Sequence, residues 1–111
     1  MMSTRVAVAS RDGIVVHQHF GKATHFQIYE VANGHYTYIE TRENDPSCRP
    51  GEDHFTMHNR TLDKLNDCNA VIVSQIGPGA AEILDLRGIK HFTMRECIDE
   101  SLRRLIESGK L

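Results

Sequence analysis

Phe26-Gln27-Ile28-Tyr29-Glu30-Val31-Ala32-Asn33-Gly34-His35-Tyr36-Thr37-Tyr38-Ile39-Glu40 reads as two strands joined by a tight turn. The flanking runs are rich in aromatic and β-branched residues, which suit a pleated surface. Asn33-Gly34 suits the two positive-φ positions of a type I′ turn, whose twist matches that of the strands it joins. An antiparallel hairpin follows, and the rest of the chain is placed around it.

Upstream, Arg5-Val6-Ala7-Val8-Ala9-Ser10 is a short apolar run closed by Arg11-Asp12-Gly13. It reads as a buried first strand ending in a turn. Downstream, Arg42–Asp53 contains two prolines and a glycine and lacks apolar periodicity, so a loop is expected. Phe55, His58, Leu62 and Leu65 then recur at helical spacing with Asp53 as the cap. Ala70-Val71-Ile72-Val73-Ser74 is continuously apolar, the pattern of an interior parallel strand, and is placed beside the first strand. Gly77-Pro78-Gly79 opens a short helix over Ala80–Leu86, and Gly88 closes it. Ile89–Met94 reads as an edge strand, and Ile98, Leu102, Leu105 and Ile106 stripe a last helix ending near Gly109. The order βββαβαβα, a hairpin followed by two helical crossovers, predicts an α/β fold with a mixed sheet flanked by helices.

The 111 residues suit one domain spanning 1–111. Hydrophobic residues make up 40% and charged residues 25%, a globular composition that argues against a disordered chain. Thirteen basic and 15 acidic residues leave a net charge of −2 without a basic block, which argues against nucleic acid as a partner. No apolar run reaches the roughly 20 residues of a membrane span, and a cytoplasmic protein is expected. Cys48, Cys68 and Cys97 lack CxxC spacing, so a disulfide framework or self-contained zinc knuckle is not expected.

The chemistry-bearing residues concentrate in Asp12-Gly13-Ile14-Val15-Val16-His17-Gln18-His19-Phe20-Gly21-Lys22-Ala23. His17 and His19 are two apart, so in extended chain their imidazoles point the same way and can serve one metal or cluster. The same spacing also fits one histidine capping the turn and the other in solvent. Phe20 can anchor the loop by burying its ring, and Gly21 permits a sharp turn or close approach to a ligand. His54 and His58 share a helix face at metal-competent spacing, but local sequence supplies no third ligand and a solvated or packing role is expected.

Val6-Ala7-Val8-Ala9-Ser10, Asp12-Gly13, His19-Phe20-Gly21-Lys22-Ala23 and Phe26–Val31, followed by Arg42, Asp67-Cys68, Ile76-Gly77 and Gly88-Ile89, together resemble the dinitrogenase iron–molybdenum cofactor biosynthesis family across almost the whole chain. That family includes carriers and insertion factors for the nitrogenase cofactor or its iron–sulfur precursor, a domain appended to the precursor-forming enzyme, and stand-alone relatives. The resemblance implies a ribonuclease H-like five-stranded sheet, order 3-2-1-4-5 with strand 2 antiparallel. Strands 1 and 4 then form a switch point, where open α/β sheets bind ligands. The His19 loop would meet Gln75–Gly79 there, and the helix N-terminus at Gly77 and Gly79 suits an anion.

By resemblance, His19 is the expected ligand, with His17 as companion and Arg42 as a charge partner; a solvated strand end is the other reading of Arg42. Cys48, in the long loop, can present a thiolate to iron or be an idle surface thiol. Cys68, at the start of a buried strand, reads as structural; Cys97 opens the last helix. The candidate cofactor-binding set is therefore His17, His19, Phe20, Gly21, Arg42, Cys48, Gly77 and Gly79, with His17, His19 and Cys48 as metal ligands. The expected function is a non-catalytic binder or carrier of an iron–sulfur or iron–molybdenum-type cluster, a monomer or weak homodimer, partnered by cluster donor and acceptor proteins. The alternatives are a cluster-free regulatory or interaction module, a mononuclear zinc, copper or nickel binder at His17 and His19, and a nuclease. The last is disfavoured because Val6–Ser10 lacks the carboxylates that metal-assisted phosphoryl transfer needs.

Overall fold

A computed structural model describes residues 3–47 and 49–111. Its elements are β1 (Thr4–Ala9), β2 (His25–Ala32), β3 (His35–Glu43), α1 (His54–Asp63), β4 (Ala70–Val73), α2 (Pro78–Leu86), β5 (Lys90–Thr93) and α3 (Ile98–Glu107), with a 3₁₀ turn at Phe20–Lys22. They form a five-stranded sheet in the order β3-β2-β1-β4-β5. β2 runs antiparallel to both β1 and β3, while β1, β4 and β5 are parallel. Asn33 and Gly34 take φ values of 55° and 77°, the left-handed pair that a type I′ turn requires.

Alternation along the strands divides the core. Ala7, Ala9, Phe26, Ile28, Val71 and Val73 face α1 and α2, while Val6, Val8, Tyr29, Val31 and Ile72 face α3. This explains why β1 from Val6 onward and all of β4 are apolar: both faces are buried there. The β2–β3 register shifts between Ile28 and Tyr29, so β3 carries a bulge, a common feature of sheet edges.

Helix ends follow local chemistry. The Asp53 carboxylate accepts the Thr56 N–H at 2.8 Å, and Pro78 sits in the first turn of α2 after Gly77. One expectation fails at α1. Phe55 is 62% exposed, and the buried positions are Met57, Thr61, Leu62 and, just past the helix, Leu65. Phe55 lines a groove between the two helices with Ile83 and Leu86, so its ring stands at the surface rather than against the sheet. Helical spacing identifies a face but not how far along it the core extends.

Candidate functional site

β1 ends in a turn tied by its own polar groups. The Asp12 carboxylate accepts the N–H groups of Ile14 and Val15 at 2.9 and 3.1 Å, and these bonds hold its carboxyl below the usual range. The chain then crosses to α3, where Val16 N–H donates to Glu96 O at 2.9 Å and Ile98 N–H donates to Ile14 O at 2.8 Å. It returns along the open end of β4: Gln18 N–H donates to Ala9 O, Ser74 N–H to Gln18 O, and Phe20 N–H to Gln75 O at 2.9 Å. His19 and Gln75 form a parallel bridge. The two loops therefore meet at the switch point between β1 and β4, joined through main chain.

Phe20 locks this junction. Its ring is 1% exposed and packs against Phe26 and His58, with centroids 6.4 and 5.6 Å away. The role expected for Phe20 is thus that of an anchor beneath the site. Gly21 is a different case: it lies in the 3₁₀ turn and is not among the positive-φ glycines, so the turn does not demand it. A Cβ there would meet His58 Cε1 at 3.5 Å; glycine keeps that wall of the site low.

Above Phe20 lies a crevice of about 280 Å³ lined by His19, Gly21, Lys22, His54, Met57, His58, Gln75, Ile76, Gly77 and Ala80. It gathers three imidazoles, a thioether and an ammonium group beside the start of α2, which has no side-chain cap. Such a helix start attracts anions. His58 is half-buried, its Nδ1 has no hydrogen-bond partner, and burial, followed by the nearby His54, lowers its pKa. A neutral imidazole is the metal-binding form. Among the described residues, no three His, Cys, Asp or Glu side chains stand close enough to hold one metal ion.

The expected residues sort unevenly. His17 and His19 border a shallow depression with Gln18 and Lys22; of the two, His19 also lines the crevice. His17 Nδ1–H donates to Val15 O at 2.9 Å, which leaves Nε2 as the outward nitrogen of the neutral ring. Gly77 lines the crevice, whereas Gly79 lines the neighbouring groove between α1 and α2. Arg42 is not brought to the crevice. Its guanidinium donates to Asp67 at 2.6 and 2.8 Å, to Glu40 and to Lys64 O. Those bonds, together with Arg5, hold the Asp67 carboxyl well below the usual carboxylate range. Cys68 is buried, and burial pushes its thiol up to about 12. Cys97 is exposed at the start of α3, and Cys48 lies outside the described residues. Sequence spacing paired His54 with His58; their convergence with His19 arises only in the folded chain.

The dinitrogenase iron-molybdenum cofactor family model matches residues 2–108. The chain belongs to this family. It is 37% identical over 103 residues to the FeMo cofactor biosynthesis protein NifB of Frankia alni, covering 90% of this chain and 20% of that protein. It is 30% identical over 88 residues to the protein NifX of Sinorhizobium fredii, covering 75% of this chain and 55% of NifX. The chain thus spans about a fifth of the length of that NifB protein and little more than half of NifX. The crystal structure of PH0822 superimposes with a TM-score of 0.72 at 25% identity, over 95% of this chain and 90% of that one. The family assignment and the sheet order agree with the resemblance carried by His19-Phe20-Gly21 and its neighbours. Among the described residues, no helix is long and apolar enough to cross a membrane.

Proposed function

We propose that this domain binds and carries an anionic iron–sulfur-type cluster, of the iron–molybdenum cofactor or precursor class, as cargo in cofactor biosynthesis. The observation that carries the reading is the meeting of the His19 loop with Gln75–Gly77 at the β1–β4 switch point. A crevice there places an imidazole, the Lys22 ammonium and the uncapped start of α2 on one volume. Imidazole takes iron, while ammonium and helix dipole offset the cluster's negative charge.

In this reading His19 is a ligand and His17 flanks it at the mouth. Phe20 fixes the loop, Gly21 leaves room, and Gly77 presents the helix start. Arg42 serves the fold. Cys48 is a further thiolate ligand from the long loop, tested by its own variant. The domain makes and breaks no substrate bond itself; its partners are the proteins that deliver and receive the cluster.

Anaerobic reconstitution with iron and sulfide, followed by gel filtration, iron and sulfide analysis and a visible spectrum, tests the reading. Stoichiometric cluster, lost in His19→Ala, is the expected result. A colourless protein would overturn it in favour of a cluster-free interaction module, and equal retention by His19→Ala would remove His19 from the site.

A further inference from the structure

The carrier reading leaves one wall of the crevice without a task. His54 and His58 stand one helical turn apart on α1, their ring centroids separated by 6.2 Å, and border the same volume as His19. The His58 ring is held by Phe20 beneath it, so its orientation is set by packing. Its Nδ1 is nevertheless buried with no hydrogen-bond partner, a costly condition for a polar atom. A packing role accounts for the ring against Phe20. It does not account for His54, which is exposed at the rim of the same crevice; with Nδ1 buried, a bond from His58 to a group in the crevice would come from Nε2.

We propose that His54 and His58 are further ligands of the same cluster, reaching it from the α1 side of the crevice that His19 also lines. This rests on the carrier reading and deepens it. A cluster with several metal atoms can meet imidazoles from more than one wall while each metal–imidazole bond stays short, roughly 2.0–2.1 Å for zinc; this suits a crevice in which, among the described residues, no three candidate ligands stand within range of one ion. The crevice, about 280 Å³ in volume, also borders Met57, whose thioether is a soft neighbour for iron or sulfide.

The test uses the full chain, reconstituted anaerobically with iron and sulfide, as parent and as His54→Gln, His58→Gln and His19→Gln. Folding is checked by circular dichroism; should His58→Gln fail to fold, His54→Gln decides alone, since its side chain is exposed. Cluster retention should fall at least roughly tenfold in each folded variant, the scale on which even outer-shell changes act on metal affinity. Pulsed electron paramagnetic resonance of the reduced, ¹⁵N-histidine-labelled protein should show fewer coupled imidazole nitrogens in each variant than in the parent. If the parent and both α1 variants keep the cluster with unchanged nitrogen couplings while His19→Gln loses it, the assignment of His54 and His58 as ligands is wrong and the carrier reading stands. A parent that takes up no cluster overturns both. Tight stoichiometric uptake of cobalt(II) alone that requires His19, His54 and His58 together would overturn their assignment as cluster ligands in favour of a single-ion site.

Discussion

Beyond the C-terminal end of α1, the Asp67 carboxylate accepts from Arg42 Nη1 at 2.6 Å, Arg42 Nη2 at 2.8 Å and Arg5 Nη1 at 2.9 Å. Midway along the same helix, His58 Nδ1 is buried with no hydrogen-bond partner. The first arrangement is closed: every strong donor has an acceptor, and its worth is stability. The second is open: the chain supplies no partner for that nitrogen. Two sets of polar groups, one beyond α1 and one on it, thus differ in whether the chain completes their bonding. Arg42, expected at the cargo, belongs to the closed set, while His58, expected to pack or be solvated, belongs to the open one.

Substitutions should separate the two sets. The largest effect is expected from Phe20→Ala, which removes the ring beneath the crevice and leaves a cavity against Phe26 and His58; about 3–5 kcal/mol of stability should be lost. Urea unfolding measures it. A loss under about 1 kcal/mol, within reach of a surface change, would mean that the loop does not depend on its anchor.

Asp67→Ala should cost less, about 1–2 kcal/mol, because the pair is part-exposed and solvent-screened although two arginines lose their acceptor. Cluster retention should be unchanged. The pH dependence follows from the depressed Asp67 carboxyl. Its folded value lies below its unfolded one, so the unfolded chain binds more protons between them. The contribution is therefore full above the unfolded value of about 3.9 and lost as pH falls through the folded value. Unfolding midpoints measured from neutral pH into acid should converge for parent and Asp67→Ala. Parallel curves would show that the carboxylate does not stabilise the fold.

Gly21→Ala should change stability by no more than about 1 kcal/mol, since the backbone there accepts an L-residue and the added methyl makes only ordinary contact with His58. Its effect belongs to the crevice, so reduced cluster retention at unchanged thermal midpoint is the expected outcome. The smallest effect concerns Cys68: burial pushes its thiol up to about 12, so iodoacetamide at mild alkaline pH should label Cys97 and spare Cys68 until the chain is unfolded. Mass spectrometry of the digested protein locates the label. Early labelling of Cys68 would mean that it is accessible, and would reopen its assignment as structural.

Much of the fold was legible because its signals are local. Asn33-Gly34 makes its turn with its own dihedrals, Asp53 caps the helix three residues ahead of Thr56, and the apolar runs of β1 and β4 state that both faces are covered. The His19-Phe20-Gly21 segment also marked the loop that forms one wall of the crevice, and the resemblance it carries points to the family to which the chain belongs. Phe55 shows where local reading stops, since helical spacing fits it to the core stripe and the fold leaves it at the surface, lining a groove beside α2.

By itself, then, the sequence determined the elements, their order and the family, because dihedral preference, capping and apolar alternation act within a few residues. Only the tertiary structure decided which polar groups are spent and which are free. The parallel pairing of β1 with β4 and the crossover through α1 bring His54 and His58 beside His19, and Arg42 to Asp67. The reason is geometric: bonding between side chains falls off over a few ångströms in space, and neighbours at that range are chosen by the packing of the whole sheet, not by separation along the chain.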